Sequence, residues 1–137
     1  MQGYSVLIVE DDPKMRDGLQ HILRKEGHRV DAVESGEEAL GRIRSGDYDL
    51  VLSDLKLPGM SGMEVLKSVK NYRSEICVIV ITAFGTIDSA VEAMKAGAED
   101  YVTKPFNIDH IRLVVRKALE KRALATRNIL LESQLRK

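Results

Sequence analysis

Residues 48–59 read Tyr48-Asp49-Leu50-Val51-Leu52-Ser53-Asp54-Leu55-Lys56-Leu57-Pro58-Gly59, and the rest of the chain is organised around them. Leu50 to Leu52 form a short β-favouring apolar run between polar and turn residues, which is typical of a strand covered on both faces. Asp54 stands where this strand ends, and the Pro58-Gly59 turn delays the next helix. Such an Asp could simply open a loop, so the rest of the chain must decide whether it has a chemical role.

The same sequence of a short apolar run followed by a helical pattern recurs along the chain. Apolar runs predict strands at residues 4–9, 30–33, 50–52, 76–81 and 100–103. Each is followed by apolar residues at helical spacing, and four of these helices begin at a capping residue: Asp12, Ser35, Ser61 and Asn107. Five strands alternating with five helices predict an α/β fold, in which a doubly wound parallel sheet carries helices on both faces.

Size and composition exclude several classes of protein. A chain of 137 residues suits one compact domain with a short extension. Lys and Arg number 21 and so do Asp and Glu, so no net charge favours binding to nucleic acid or a membrane surface. The single Cys77 lies in an apolar run and indicates a core residue in a reducing compartment. No apolar run is long enough to span a bilayer, so we expect a cytoplasmic protein without a membrane partner.

Polar side chains follow four of the five predicted strands. Asp11 and Asp12 follow the first strand, Asp54 the third, Thr82 the fourth and Lys104 the fifth. In a doubly wound sheet, ligands bind outside the carboxyl ends of the strands, at the point where the strand order reverses. We therefore expect these residues to lie around one site.

The residue types at this site favour phosphoryl transfer. Three carboxylates repel one another unless a cation joins them, and hard oxygen ligands favour Mg²⁺. The ammonium of Lys104 and the hydroxyl of Thr82 would complete a cradle for phosphoryl oxygens, with Asp54 as the nucleophile. The acids alone would equally fit a plain divalent-ion site. The lysine and the threonine are what favour phosphoryl transfer.

These motifs resemble the receiver domain of bacterial two-component response regulators. The resemblance rests on Glu10-Asp11-Asp12, Asp54 with Pro58-Gly59, Thr82-Ala83 and Lys104-Pro105-Phe106. It covers residues 1–122, which it implies to be the phosphoacceptor domain, and it implies the flavodoxin-like strand order 2-1-3-4-5. It also implies a signalling domain, with at most self-phosphorylation and self-dephosphorylation activity.

The resemblance implies a role for each site residue. Asp54 would accept a phosphoryl group from a sensor histidine kinase. Asp12, Asp54 and the backbone carbonyl of Lys56 would bind Mg²⁺ directly, and Asp11 would bind it through water. This assigns all three carboxylates to one metal site.

The remaining positions would sense the phosphoryl group. Thr82 and Lys104 would contact the phosphoryl oxygens, and the Lys104-Pro105 peptide bond would be cis. Tyr101 matches the aromatic switch position, whose ring turns inward as Thr82 moves. Lys56 and Phe84 fall where the family varies and tunes the lifetime of the phosphorylated state.

Residues 123–137 form a second segment, which we predict to be a helical linker. No Gly or Pro interrupts it, so the last helix is expected to extend beyond the domain. Leu124, Asn128, Leu131 and Leu135 keep the spacing of a coiled-coil seam, which favours a homodimer. A frayed amphipathic tail remains the alternative, because coiled coils normally show several heptads.

The tail and the segment at 82–86 together resemble transcriptional activators related to the nitrogen regulator NtrC. In that subfamily a receiver is joined by a helical linker to an ATPase that remodels sigma-54 polymerase, followed by a DNA-binding domain. This chain shows neither a Walker-type phosphate loop nor a helix-turn-helix pattern. DNA would therefore be contacted only through domains absent from this chain.

Two other classes of protein use similar features. A phosphohydrolase of the haloacid-dehalogenase type would use Asp54 as a nucleophile that turns over, but it needs a second Asp where this chain has Lys56. A flavin-binding electron carrier would need a hydroxyl-rich phosphate loop after the first strand, where Asp11-Asp12-Pro13 would repel a phosphate. We therefore expect a phosphorylation-dependent switch and keep the hydrolase as the alternative.

Overall fold

The computed structural model describes residues 3–83 and 87–135, and it describes the side chains of residues 3–83 and 88–123. Strands and helices alternate along the whole chain: β1 (Ser5–Val9), α1 (Pro13–Lys25), β2 (Arg29–Val33), α2 (Gly36–Ser45), β3 (Leu50–Asp54), α3 (Gly62–Tyr72), β4 (Cys77–Thr82), α4 (Ile87–Lys95), β5 (Asp100–Thr103) and α5 (Ile108–Leu135). The predicted α/β alternation is therefore confirmed.

The five strands form one parallel sheet in the order β2-β1-β3-β4-β5. This confirms the predicted doubly wound, flavodoxin-like topology. The chain first moves from β1 to β2 on one side and then crosses to β3 on the other, so the strand order reverses between β1 and β3. A crevice opens at such a switch point because the helices that follow the two strands lie on opposite faces of the sheet.

Side chains alternate between the two faces of the sheet, and each face is buried against helices. Val6 and Ile8 of β1 pack in a core completed by α1 and α5, whereas Leu7 and Val9 pack in a second core completed by α2 and α3. All five residues of β3 are buried. A strand covered on both faces cannot slip by one residue without exchanging its two buried sets of side chains, so the register of β3, and with it the position of Asp54, is fixed.

The helix starts agree with the capping residues that the sequence predicts. The side chain of Ser35 accepts a hydrogen bond from Glu38 N, and that of Ser61 accepts one from Glu64 N, each at 3.2 Å. Asn107 Oδ1 accepts a hydrogen bond from His110 N at 2.7 Å. A cap of this kind stabilises a helix by about 1 kcal/mol, because it satisfies a backbone donor that has no partner within the helix.

Two strand ends differ from the prediction in a way that affects the site. The sequence places Asp54 after the third strand and Thr82 after the fourth, but β3 includes Asp54 and β4 includes Thr82. Thr82 pairs with Thr103 of β5, and its carbonyl oxygen accepts a hydrogen bond from Lys104 N at 2.8 Å. Pairing with the edge strand β5 thus keeps the Thr82 backbone in the sheet.

Helix α5 continues well past the sheet, to Leu135, which confirms the predicted C-terminal extension. Where it leaves the body of the domain, Lys121 pairs with Glu99 at 3.0 Å and Arg122 pairs with Asp49 at 3.2 Å. The predicted coiled-coil seam (Leu124, Asn128, Leu131, Leu135) lies outside the described side chains. Within residues 3–83 and 87–135, no helix combines the length and apolar character needed to span a bilayer.

Candidate functional site

An open cleft lies at the carboxyl ends of β1, β3, β4 and β5. Six of the nine residues that line it are charged, namely Glu10, Asp11, Asp12, Asp54, Lys56 and Lys104, and the other three are Leu57, Pro58 and Ala83. The structure thus brings together the residues that the sequence predicted at the strand ends, with Thr82 in the strand that leads to Ala83. Parallel strands produce this result directly, because all their carboxyl ends meet at one edge of the sheet.

Asp54 is held in the cleft by both of its carboxylate oxygens. Oδ1 accepts a hydrogen bond from Lys56 N at 2.9 Å, and Oδ2 accepts one from Lys104 Nζ at 2.6 Å. Only 4% of the residue is exposed. Charge-assisted bonds of this length fix the carboxylate in one orientation at the edge of the cleft.

Lys104 connects the last strand to the first and the third. Besides its bond to Asp54, its Nζ lies 3.5 Å from Glu10 Oε1. Burial lowers the pKa of Lys104, but the hydrogen bond and charge of Asp54 outweigh this effect and raise the pKa above its usual value. The side chain therefore stays a cation. The next peptide bond, Lys104-Pro105, is cis as predicted.

Glu10 is a site residue to which the sequence motif alone assigns no role. It is fully buried, and its Oε2 accepts a hydrogen bond from Asp12 N at 3.1 Å. Burial raises the pKa of Glu10 to about 7, helped by the charge of Asp54 and opposed by the hydrogen bond from Asp12 N. Its position directly after the buried strand β1 was the signal that could have identified it.

Three carboxylates could hold one metal ion. Within the described part of the chain they are those of Glu10, Asp11 and Asp54, which each offer an oxygen within 4.8 Å of the other two. All three donors are hard oxygens, the ligands that Mg²⁺ prefers. The single ammonium of Lys104 leaves this group with excess negative charge, so a divalent cation fits the site.

Asp12 is engaged differently from the other two predicted acids. This residue lines the cleft, but its Oδ1 accepts a hydrogen bond from Lys14 N at 3.0 Å and caps α1. Its carboxylate is not part of the group of three described above. The reason is that Pro13 starts the helix directly after Asp12, and a residue at the N-cap uses its side chain on the helix.

The two residues of the predicted switch differ in burial: Thr82 is buried and Tyr101 is exposed. Thr82 is 2% exposed, and its Oγ1 has no hydrogen-bond partner among the described residues. Tyr101 is 42% exposed and lies beside Val91 and Met94 of α4. A buried hydroxyl without a partner is costly and rare, and often indicates a functional role. Phe84 lies outside the described residues.

Gly62, the first residue of α3, packs directly against the backbone of Asp54. A Cβ at this position would lie 2.1 Å from Asp54 O and 2.4 Å from Leu55 Cα. The Gly62 N–H donates to Leu55 O at 2.9 Å, which closes the loop behind the site. This glycine was missed, because a helix-starting Ser61 and Glu64 explained the local sequence without it.

Comparisons with known proteins agree with this geometry. Residues 6–116 match the family described as the response regulator receiver domain. The chain is 39% identical over 133 residues to the transcriptional regulatory protein TcrA of Mycobacterium tuberculosis, covering 97% of this chain and 52% of the relative. It is 40% identical over 114 residues to the transcriptional regulatory protein ZraR of Klebsiella oxytoca, covering 83% of this chain and 26% of the relative.

A solved structure gives the same picture. The crystal structure of NtrX from Brucella abortus in complex with ADP superposes with a TM-score of 0.91 and 32% identity, covering 95% of this chain and 30% of that one. The chain thus spans about half or less of the length of these relatives. The similarity to ZraR and NtrX supports the resemblance to the NtrC-type subfamily.

Neither of the two alternative classes of protein, the hydrolase and the flavin-binding carrier, finds support. The hydrolase alternative finds no support in the family match, which covers Asp54, Thr82 and Lys104 together. The acidic end of β1 likewise gives no cradle for the phosphate of a flavin. With a family match over most of its length and the matching strand order, this chain belongs to the response regulator receiver domain family, whose members act in phosphorylation-dependent signalling.

Proposed function

We propose that Asp54 accepts a phosphoryl group from a sensor histidine kinase, and that the phosphorylated domain controls an effector through α5. Receiver domains are phosphorylated by such kinases. The observation that carries the proposal is the 2.6 Å bond between Asp54 Oδ2 and Lys104 Nζ, in a cleft that three further acids also line. The buried carboxylate can act as the nucleophile, and the neighbouring cation can stabilise the negative charge of the phosphoryl oxygens during the transfer.

The acidic group would hold Mg²⁺. Asp11 and Asp54, with the backbone carbonyl of Lys56, would be its protein ligands, and the buried Glu10 would lie next to them. The ion would supply positive charge against which the phosphoryl oxygens are stabilised. Asp12, the predicted direct ligand, would act on the site through the helix that it caps.

In the transfer itself, a carboxylate oxygen of Asp54 forms a bond to phosphorus. The bond between phosphorus and the imidazole nitrogen of the kinase histidine breaks, and its electron pair stays on that nitrogen. Lys104 would stay paired with the oxygens that carry the developing charge. We propose no other catalysis than self-phosphorylation from small donors and self-dephosphorylation.

The response to phosphorylation would begin at Thr82. A phosphoryl group brings roughly −1.5 to −2 charges and strong acceptor oxygens. The buried Thr82 hydroxyl, which lacks a partner in the described structure, would donate to one of these oxygens. The exposed ring of Tyr101 would then turn inward, and the face formed by α4 and β5 would change.

The output would pass through the extension of α5. We propose that residues 1–122 form the receiver and that residues 123–137 form a helical linker that pairs with a second copy. Lys121 and Arg122 attach this helix to the body of the domain through ion pairs, so a structural change in the body would shift the linker helix. The effector and any contact with DNA would belong to segments outside this chain.

A matched pair of variants tests the assignment of the acids. Wild type, Asp11→Ala and Asp12→Ala are incubated with Mg²⁺ and a small acyl phosphate, and phosphorylation is followed by intact mass. Asp11→Ala is expected to lose phosphorylation, while Asp12→Ala keeps it and loses about 1 kcal/mol of stability with the cap. Unphosphorylated wild type would contradict the proposed function, and loss confined to Asp12→Ala would contradict this ligand set.

A further inference from the structure

The β1–α1 loop, which carries the acids of the site, is held from outside the cleft by Arg16. The Nη1 of this arginine donates to Glu10 O at 3.1 Å and to Asp11 O at 3.4 Å. Nη1 also lies 3.8 Å from Oε2 of Glu34, in the connection after β2. The guanidinium thus bridges two backbone carbonyls of the acidic loop and the neighbouring loop.

Arg16 does not belong to the cleft itself. It is absent from the residues that line the cleft, and its side chain is 21% exposed. The backbone N–H of Arg16 donates to Asp12 O at 2.9 Å in the first turn of α1. The stem of the side chain is therefore fixed by the helix, while the head reaches back over the loop.

We propose that Arg16 is a positioning residue that holds the carboxylates of Glu10 and Asp11 in the arrangement that binds Mg²⁺. The inference rests on the proposed function, because it assigns that ion to this acidic group. A planar guanidinium with several donors in fixed directions can hold two carbonyls and face an acid at once. A flexible lysine ammonium at this place could keep the charge but not the geometry.

Because Arg16 is charged, the direction in which its removal changes Mg²⁺ affinity distinguishes a positioning role from a purely electrostatic one. A cation close to a dication site repels the ion, so a purely electrostatic role predicts that removing Arg16 tightens Mg²⁺ binding. A positioning role predicts the opposite, because the loop loses its shape. Groups that orient metal ligands from outside typically contribute about 10- to 100-fold to metal affinity.

Arg24 offers a matched control on the same helix. Its Nη2 donates to Val30 O at 3.1 Å, so it makes the same kind of bond to a backbone carbonyl. Val30 lies near the amino end of β2, at the edge of the sheet opposite the cleft. Arg24→Gln removes a comparable bond and the same charge without touching the acidic loop.

The test is a titration of the full chain with MgCl₂, followed by backbone amide NMR shifts, for wild type, Arg16→Gln, Arg16→Lys and Arg24→Gln. Arg16→Gln is expected to bind Mg²⁺ about tenfold more weakly. Arg16→Lys is expected to bind with intermediate affinity, and Arg24→Gln like wild type. If Arg16→Gln binds Mg²⁺ as tightly as wild type or more tightly, or if Arg24→Gln weakens binding as much as Arg16→Gln does, the positioning role is overturned. The proposed function still stands in either case, as long as wild type binds Mg²⁺. Wild type that neither binds Mg²⁺ nor is phosphorylated would overturn both.

Discussion

Lys104 Nζ lies 2.6 Å from Asp54 Oδ2 and joins the carboxyl end of β5 to that of β3, two strands that are not neighbours in the sheet. Glu10, at the end of β1, lies 3.5 Å from the same ammonium. One cation thus holds together the ends of three strands. In the absence of a metal ion, this ammonium is what offsets the repulsion between two buried carboxylates.

Replacing Lys104 should therefore slow the chemistry at Asp54. In Lys104→Met we expect phosphorylation by a small acyl phosphate to slow on the order of 100-fold, because a positioned cation no longer stabilises the phosphoryl oxygens. The rate is measured by intact mass at fixed Mg²⁺. Lys121→Met, which removes an ion pair with Glu99 far from the cleft, is the control and should react like wild type. Equal rates in all three proteins would argue against a role for Lys104.

Gly62 sets how closely α3 approaches Asp54. In Gly62→Ala the added Cβ would meet Asp54 O at 2.1 Å, so the loop that carries the nucleophile must shift. We expect a loss of about 1–3 kcal/mol in the free energy of unfolding together with slower phosphorylation. Urea unfolding and the mass assay measure the two effects. Gly41→Ala in α2, with nothing within 4 Å of its Cβ, should instead gain about 0.5–1 kcal/mol.

The hydroxyl of Thr82 should matter only after phosphorylation. Because Oγ1 has no partner among the described residues, Thr82→Val should leave the unphosphorylated protein as stable or more stable by about 1 kcal/mol. Amide exchange of α4 and β5 should then no longer respond to phosphorylation, whereas Thr82→Ser should respond. Thr103→Val, in an exposed residue of β5, is the control for the loss of a hydroxyl. A marked loss of stability in unphosphorylated Thr82→Val would show that the hydroxyl is already bonded.

Glu10 makes the stability of the metal-free protein depend on pH. Its pKa is about 7 in the folded protein against an ordinary value of 4.5, so between these values the folded state binds more protons than the unfolded state. The contribution of Glu10 to stability is present below pH 4.5 and is lost as pH rises through 7. In EDTA, wild type should lose on the order of 1–3 kcal/mol more than Glu10→Gln between pH 5 and pH 8. Urea unfolding at both pH values measures these free energies, and Glu92→Gln, at an exposed position, is the control. If wild type and Glu10→Gln lose the same stability between pH 5 and pH 8, the expectation is contradicted.

Much of the fold followed from local patterns in the sequence. Apolar runs located all five strands, and caps such as Ser35 and Ser61 located the starts of helices. The strand order came from the family resemblance, because alternation alone does not say which strands are neighbours. The ends of β3 and β4 were misplaced by two residues and by one. Asp54 stays in the sheet through pairing with β4, and Thr82 through pairing with β5, which are contacts between distant parts of the chain.

The site was predictable wherever a strand end decided a residue's position. Asp54 and Lys104 meet because parallel strands end at one edge. The choice among Glu10, Asp11 and Asp12 was harder, because three consecutive acids turn in different directions and the sequence does not give the dihedral angles. The cap assigned to Asp12 already indicated that its carboxylate was engaged with α1. Arg16 and Gly62 act on the loops through backbone contacts, which no motif of side chains reveals.

The proposed function depends on Asp54 as the phosphoacceptor. The intact mass of wild type and Asp54→Ala, measured after incubation with Mg²⁺ and a small acyl phosphate, tests this assignment, with light scattering on the same samples. We expect wild type to gain the mass of one phosphoryl group and to change its oligomeric state, and Asp54→Ala to do neither. A phosphoryl group on Asp54→Ala, or none on wild type, would contradict the proposed function.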